Sequence, residues 1–252
     1  VALVAASAAA QGRPAPAGPD GSALAALATA DSAYARRDVP RALAGYLAAV
    51  AADSANYMAL WKASRAEVDL AEAAQKGPAM DSLLTSAQRH AEAAIRVRPA
   101  DAEGHFSLAR ALGRRALSVG TMDRIRYSKI IRAEALEALK YDSLHAGALH
   151  VLGMWNAEIM RVNGFARAFA RTFLGAQVFG LASWDEAQRL LEEAVRVDPT
   201  RIVHRLDLAG IYADRGERDK ARALYEGIAA APITEPNDDL YKRQAAERLR
   251  RL

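Results

Sequence analysis

A pattern of small and large residues at fixed offsets recurs along this chain. Its clearest copy is residues 202–232, IVHRLDLAGIYADRGERDKARALYEGIAAAP. Leu208, Ala209 and Tyr212 mark one helical stretch, Gly216 a tight turn, and Ala221, Tyr225 and Ile228 a second stretch. Small residues belong where two paired helices come closest, and large ones fill the space beside them. One such pair cannot bury its own apolar face, so further copies are expected upstream.

They are there. The offsets match the tetratricopeptide signature of a helix–turn–helix repeat. A first pair covers about Ser22 to Asp53, where Ala42, Tyr46 and Ala49 repeat the spacing of Ala221, Tyr225 and Ile228. A second starts near Asn56, carries Leu60-Trp61, breaks at Gly77-Pro78 and ends at Pro99. A third starts near Ala102 with Leu108-Ala109 and Leu112, followed by a long helix over about Met122 to Lys140. A fourth starts near Ala146 with Leu152-Gly153, and its second helix runs from about Trp184 to Val197. Residues 202–232 are the fifth. A charged helical stretch over 238–252 suits a terminal capping helix. The reading is an all-α, right-handed superhelix of about five helix pairs with an inserted amphipathic helix and a C-terminal capping helix.

Ser54, Pro99, Ser143 and Pro199 hold equivalent end positions, with separations of 45, 44 and 56. The three middle units thus exceed the 34-residue period by about 11, 10 and 22 residues. The largest excess, residues 160–183, reads MRVNGFARAFARTFLGAQVFGLAS and holds four of the five Phe residues. Phe165, Phe169 and Phe173 fall at i, i+4 and i+8, on one helical face, with Arg167 and Arg171 on another. No acidic residue occurs between Ile159 and Trp184. Two readings stay open: the stripe packs back onto the inner face as a plug, or it meets a membrane surface or an anionic amphiphile.

Inner-face positions of such arrays fall at fixed places on the first helix of each unit. Here they give an apolar row containing Trp61 and Phe106, then His150, with Arg65, Arg110 and Met154 one turn on and Arg114 beyond. An apolar strip beside cations suits an acyl chain with an anionic head, or a peptide of mixed character. The same residues also suit plain packing between units, and the arginines also suit ion pairs with nearby acids such as Asp69.

Catalysis finds no foothold. There is no cysteine, which removes disulfides, thiolate metal sites and a Cys nucleophile. The five His show no metal spacing, and no HExxH, phosphate loop or GxSxG occurs. No enzyme activity, cofactor or metal is expected. The net charge of +4 comes with both signs interspersed, unlike the clustered stripe of a nucleic-acid binder. Residues 1–10, VALVAASAAA, read as the remnant of a signal peptide, and 11–21, QGRPAPAGPDG, as a Pro/Gly-rich linker before a repeat domain over 22–252. The expected location is a bacterial periplasm or envelope.

The run DSLHAGALHVLGMWNAEIMRVNGFARAFARTFLGA, followed by WDEAQRLLEEAVRVDP, resembles the regulator-of-microtubule-dynamics family of tetratricopeptide proteins. The likeness is carried by His145-Ala146-Gly147, by the His150 to Trp155 core and by the Phe-rich insertion, and it extends over about Tyr57 to Leu252. The resemblance implies an all-helical repeat domain. It also implies a lipid ligand, since the repeat domain of one animal member binds and transfers phospholipid. Other members associate with microtubules, a role not expected of a bacterial exported protein. The expectation is therefore a non-enzymatic module for a lipid or other apolar amphiphile. Its site residues are Trp61, Arg65, Phe106, Arg110, Arg114, His150, Met154, Phe165, Arg167, Phe169, Arg171 and Phe173. The alternative is an envelope scaffold that holds a peptide or helix of a protein partner.

Overall fold

A computed structural model describes residues 21–252; the signal-peptide reading of 1–10 and nearly all of the linker reading fall outside the described residues. The first helices of the five units are α1 (Gly21–Ala35), α3 (Tyr57–Ala73), α5 (Ala102–Arg115), α7 (Ala146–Arg161) and α10 (Ile202–Asp214). Their partners are α2 (Val39–Ala52), α4 (Pro78–Val97), α6 (Thr121–Tyr141), α9 (Trp184–Val197) and α11 (Arg218–Ala230). Between α7 and α9 lie α8 (Gly164–Phe173) and a short 3₁₀ turn (Gln177–Leu181), and α12 (Asp238–Arg251) ends the chain. The described residues are all-α, arranged as the expected tetratricopeptide superhelix.

Local chemistry starts and stops these helices. Side-chain oxygens of Asp38, Asn56, Asp101, Asn163 and Ser183 accept the free N–H groups of the first turns of α2, α3, α5, α8 and α9. Pro78 opens α4, where its missing N–H costs nothing. Pro99 and Pro199 follow closely on the ends of α4 and α9.

Within each pair the small signature residues mark the closest approach. Ala30, Ser64, Ala109 and Ala209 are fully or almost fully buried on the first helices, as are Ala42, Ala87, Ala187 and Ala221 on the second. Gly153 replaces Ala in the fourth unit because α9 leaves no room: a methyl group there would lie 2.9 Å from Leu191 Cγ and 3.3 Å from the Ala187 carbonyl oxygen. At the helix–helix turn of the fifth unit, Gly216 takes φ +80°, a conformation that glycine adopts freely. The first unit has Arg37 at the equivalent place, at φ +63°.

The extra residues of the second and third units lengthen α4 and α6 to 20 and 21 residues. Those of the fourth unit form α8 and the 3₁₀ turn. Trp155, Ile125, Tyr127, Ile131, Ala170, Ala176 and Phe179 share one buried cluster, so the insertion is rooted in the array by its small residues and by Phe179.

Candidate functional site

The first helices line the inner face, and the chain's own C-terminal segment occupies part of it. After α11 the chain turns back over the array. Arg37 donates to the Ile233 carbonyl at 2.9 Å. The Asp238 carboxylate accepts the N–H groups of Thr234 and Glu235, each at 2.8 Å, which fixes the turn before α12. Asn237 then donates to the Asp69 carbonyl at 3.0 Å and to Glu72 at 3.1 Å, and the Tyr241 hydroxyl donates to the same Glu72 carboxylate. Along α10, Tyr241 and Ala245 of α12 pack into one cluster with Leu206 and Ala209. Arg248 reaches Asp207 at 3.7 Å. The segment therefore joins the fifth unit to the second across the inner face.

Glu72 is the hub of this junction. Arg114 meets it at 2.7 Å and Arg110 at 3.2 Å, while Arg110 also pairs with Asp69 at 2.7 Å. Burial pushes the Glu72 carboxyl up. The charges of Arg114 and Arg110 and the hydrogen bonds from Tyr241 and Asn237 outweigh it and hold the pKa at about 2. Tyr34 donates to Asp69 at 2.6 Å and carries the Arg65 guanidinium 3.8 Å from its ring centroid. Of the arginines expected on the inner face, Arg110 and Arg114 thus meet carboxylates of the chain itself, and Arg65 lies on aromatic rings.

Trp61 and Phe106 are half-buried and line a small depression with Ser64, Arg65, Ser107 and Arg110. The Phe106 ring packs on His145, with centroids 4.6 Å apart. His150 bonds Asp207 at 3.0 Å and stacks on His204 at 4.8 Å. Burial pushes the Asp207 carboxyl up, but the hydrogen bond and charge of His150, with Arg248 and Arg114, hold it below its usual value. Met154 packs between units beside Trp184, Leu191 and Leu208. A cavity of about 230 Å³ lies where α12 passes the ends of α3, α4 and α5, lined by Met80, Leu84, Leu117, Leu206 and Leu240 with Arg114 at its rim.

The Phe stripe is elsewhere. Phe165, Phe169 and Phe173 are 84%, 47% and 71% exposed and face away from the array, so none of them plugs the inner face. Arg167 lies over the end of α7, 3.3 Å from Met160 Sδ, and Arg171 lies against Gly180. The structure thus brings together Trp61, Arg65, Phe106, Arg110 and Arg114, and separately His150 with Asp207. It leaves the five insertion residues on another surface. Sequence reasoning did not single out Glu72, Asn237 or Tyr241. Nothing local marks a glutamate of one helix and a tyrosine of another, 169 positions away, as partners. Among the described residues no cluster of three metal-ligating side chains occurs, and no helix is long and apolar enough to cross a membrane.

The family model described as regulator of microtubule dynamics protein 1-3 matches residues 26–252. No curated protein matches the chain. Among solved structures, a thermophilic tetratricopeptide protein of Thermus thermophilus is similar, with a TM-score of 0.65, 18% identity, and 90% of this chain and 98% of that one covered. PilW, a type IV pilus biogenesis factor, is similar at a TM-score of 0.55 and 15% identity, covering 91% of this chain and 87% of that one. Pseudomonas aeruginosa pilF follows at 0.54 and 12%, covering 91% and 85%.

Proposed function

The chain belongs to the regulator of microtubule dynamics protein 1-3 family, and on that premise we propose that it is a non-catalytic interaction scaffold whose inner face receives a helix-bearing segment of a protein partner. One observation carries the reading: the inner face already accommodates such a segment, residues 232–252 of the chain itself, through side-chain hydrogen bonds from Asn237 and Tyr241. A helix laid into a groove, with a few anchors at helical spacing, is a recurrent mode of recognition. The partner takes the half-buried depression lined by Trp61, Arg65 and Phe106, or replaces α12. The likeness of the fold to PilW, a pilus biogenesis factor by its description, favours a role in assembly at a bacterial envelope.

A second reading, carriage of an apolar amphiphile, draws on the 230 Å³ cavity under α12 with Arg114 and Arg248 in its lining. That volume falls short of the roughly 300 Å³ or more typical of small-molecule sites, so a single short acyl segment is the fitting occupant. One experiment separates the two. A photoreactive residue is placed, in the native cells, at Phe106 on the inner face, at Leu117 in the cavity lining or at exposed Arg189 on α9. A discrete protein adduct at 106 but not at 189 supports the scaffold, and a lipid adduct at 117 but not at 189 supports the carrier. Adducts independent of position refute both.

A further inference from the structure

We infer that α8 is a membrane-docking helix, which sets Phe165, Phe169 and Phe173 into the interface of an anionic lipid bilayer. This surface lies outside the inner face, and its docking does not depend on what the inner face binds.

A surface helix ordinarily turns its large apolar residues to the core. In α8 the inward residue is Ala170, packed in the cluster of Trp155, Ile131 and Phe179, while all three phenylalanines point to water. Phe169 and Phe173 lie against each other with centroids 5.0 Å apart, and Leu181, 60% exposed, follows in the 3₁₀ turn of the same insertion. At about 150–250 Å² for each Phe side chain, scaled by these exposures, the three rings leave about 400 Å² of aromatic surface in water. That is as large as the biggest apolar patches of ordinary monomers. Asn163 caps the start of α8 at 2.8 Å, and Gly175 at φ +66° turns the chain so that the Ala176 N–H bonds the Ala170 carbonyl at 3.1 Å. The crest is thus held on a closed, anchored element.

Charge decides the occupant. No Asp or Glu occurs between Ile159 and Trp184, and Arg167 and Arg171 flank the crest with no carboxylate partner among the described residues. Lys129 of α6 approaches Gly175 at the far end of α8. Glu158, just outside, is paired with Arg161 at 2.5 Å. A protein interface of standard size needs about 800 Å² on each side, with charges depleted at its centre. This patch is half that and carries cations of one sign. A bilayer surface asks for neither extent nor shape. It takes aromatic rings at the acyl boundary and arginines among anionic head groups. Ten residues make a helix about 15 Å long, well under the roughly 30 Å of a bilayer core, so α8 lies in the plane of the surface.

The test is co-sedimentation of the whole chain with vesicles of phosphatidylcholine containing phosphatidylglycerol, against pure phosphatidylcholine, at low and high salt. Wild type binds the anionic vesicles and is released by salt. The double variant Phe169→Asp/Phe173→Asp loses at least about a hundredfold in binding and keeps its far-ultraviolet helical signal, because neither ring supports the core. Arg171→Gln weakens binding about fivefold, the share of one cation near an anionic surface. Phe169→Trp, used as a reporter, shifts its fluorescence to the blue on the same vesicles. Absence of binding by wild type, or unchanged binding by the double aspartate variant, overturns the inference. A dimer in sedimentation equilibrium that the double variant dissolves also overturns it, since the patch then belongs to a second copy.

Discussion

Replacing Glu72 by Gln removes one charge at the junction between α12 and the array while nearly keeping the side chain's size. The Glu72 side chain is only 4% exposed, so solvent screening takes little from its interactions. Its pKa falls from 4.5 to about 2 in the fold. Each unit is worth about 1.36 kcal/mol, which makes the ionised carboxylate about 3 kcal/mol more favourable in the folded chain than in the unfolded one. Because the folded value is depressed, this stability is fully present above about pH 4.5. It declines as the pH falls, is about half gone by pH 3 and vanishes below about 2. Glu72→Gln should therefore destabilise the chain by up to about 3 kcal/mol at pH 7, a fall in Tm of roughly 6–12 °C for a chain of this size. The gap between variant and wild type should narrow towards about pH 3. Hydrogen exchange gives the local reading: amides of α12 should exchange up to about a hundredfold faster in the variant while those of α7 and α9 change little. A variant with wild-type Tm and unaltered α12 exchange at pH 7, or a difference that does not move with pH, would refute the reasoning.

Gly153→Ala should cost about 1–3 kcal/mol in chemical denaturation, because the new methyl group meets Leu191 Cγ at 2.9 Å and a helix backbone that cannot retreat. Tyr57→Phe removes a hydroxyl that donates to Asp101 at 2.5 Å and accepts from the Gly104 N–H at 3.1 Å. A loss of about 1–3 kcal/mol is expected from the orphaned Gly104 N–H, read by thermal melts of the variant. Burial, and next the charge of His150, push the His204 pKa well below 6.5. Stability tied to the neutral ring is thus full above about pH 6.5 and falls as the pH drops below it. His204→Phe should flatten the wild-type slope of stability against pH in that range.

Much of this protein is legible in one dimension because a repeat array is built from neighbours. The offsets of Ala42 and Tyr46, of Ala187 and Leu191, and of Ala221 and Tyr225 are local statements about where two helices touch. They place five pairs, and the residue excess places the insertion between α7 and α9. The aromatic, acid-free character of that insertion is equally plain in the sequence. Its direction is not. Phe165, Phe169 and Phe173 have the same spacing whether they face in or out, and the choice fell to Ala170 and Phe179, which fill the space beside Trp155. The inner face shows the same division. Sequence places Trp61, Arg65, Phe106 and Arg110 along one wall, since each sits at a fixed turn of its helix. What that wall holds depends on curvature summed over the repeats, which brings Asn237 and Tyr241 to Glu72 across 165 and 169 positions of the chain. Periodicity records contacts between adjacent elements. Closure of the superhelix onto its own last helix is a property of the whole, and only the tertiary structure decided it.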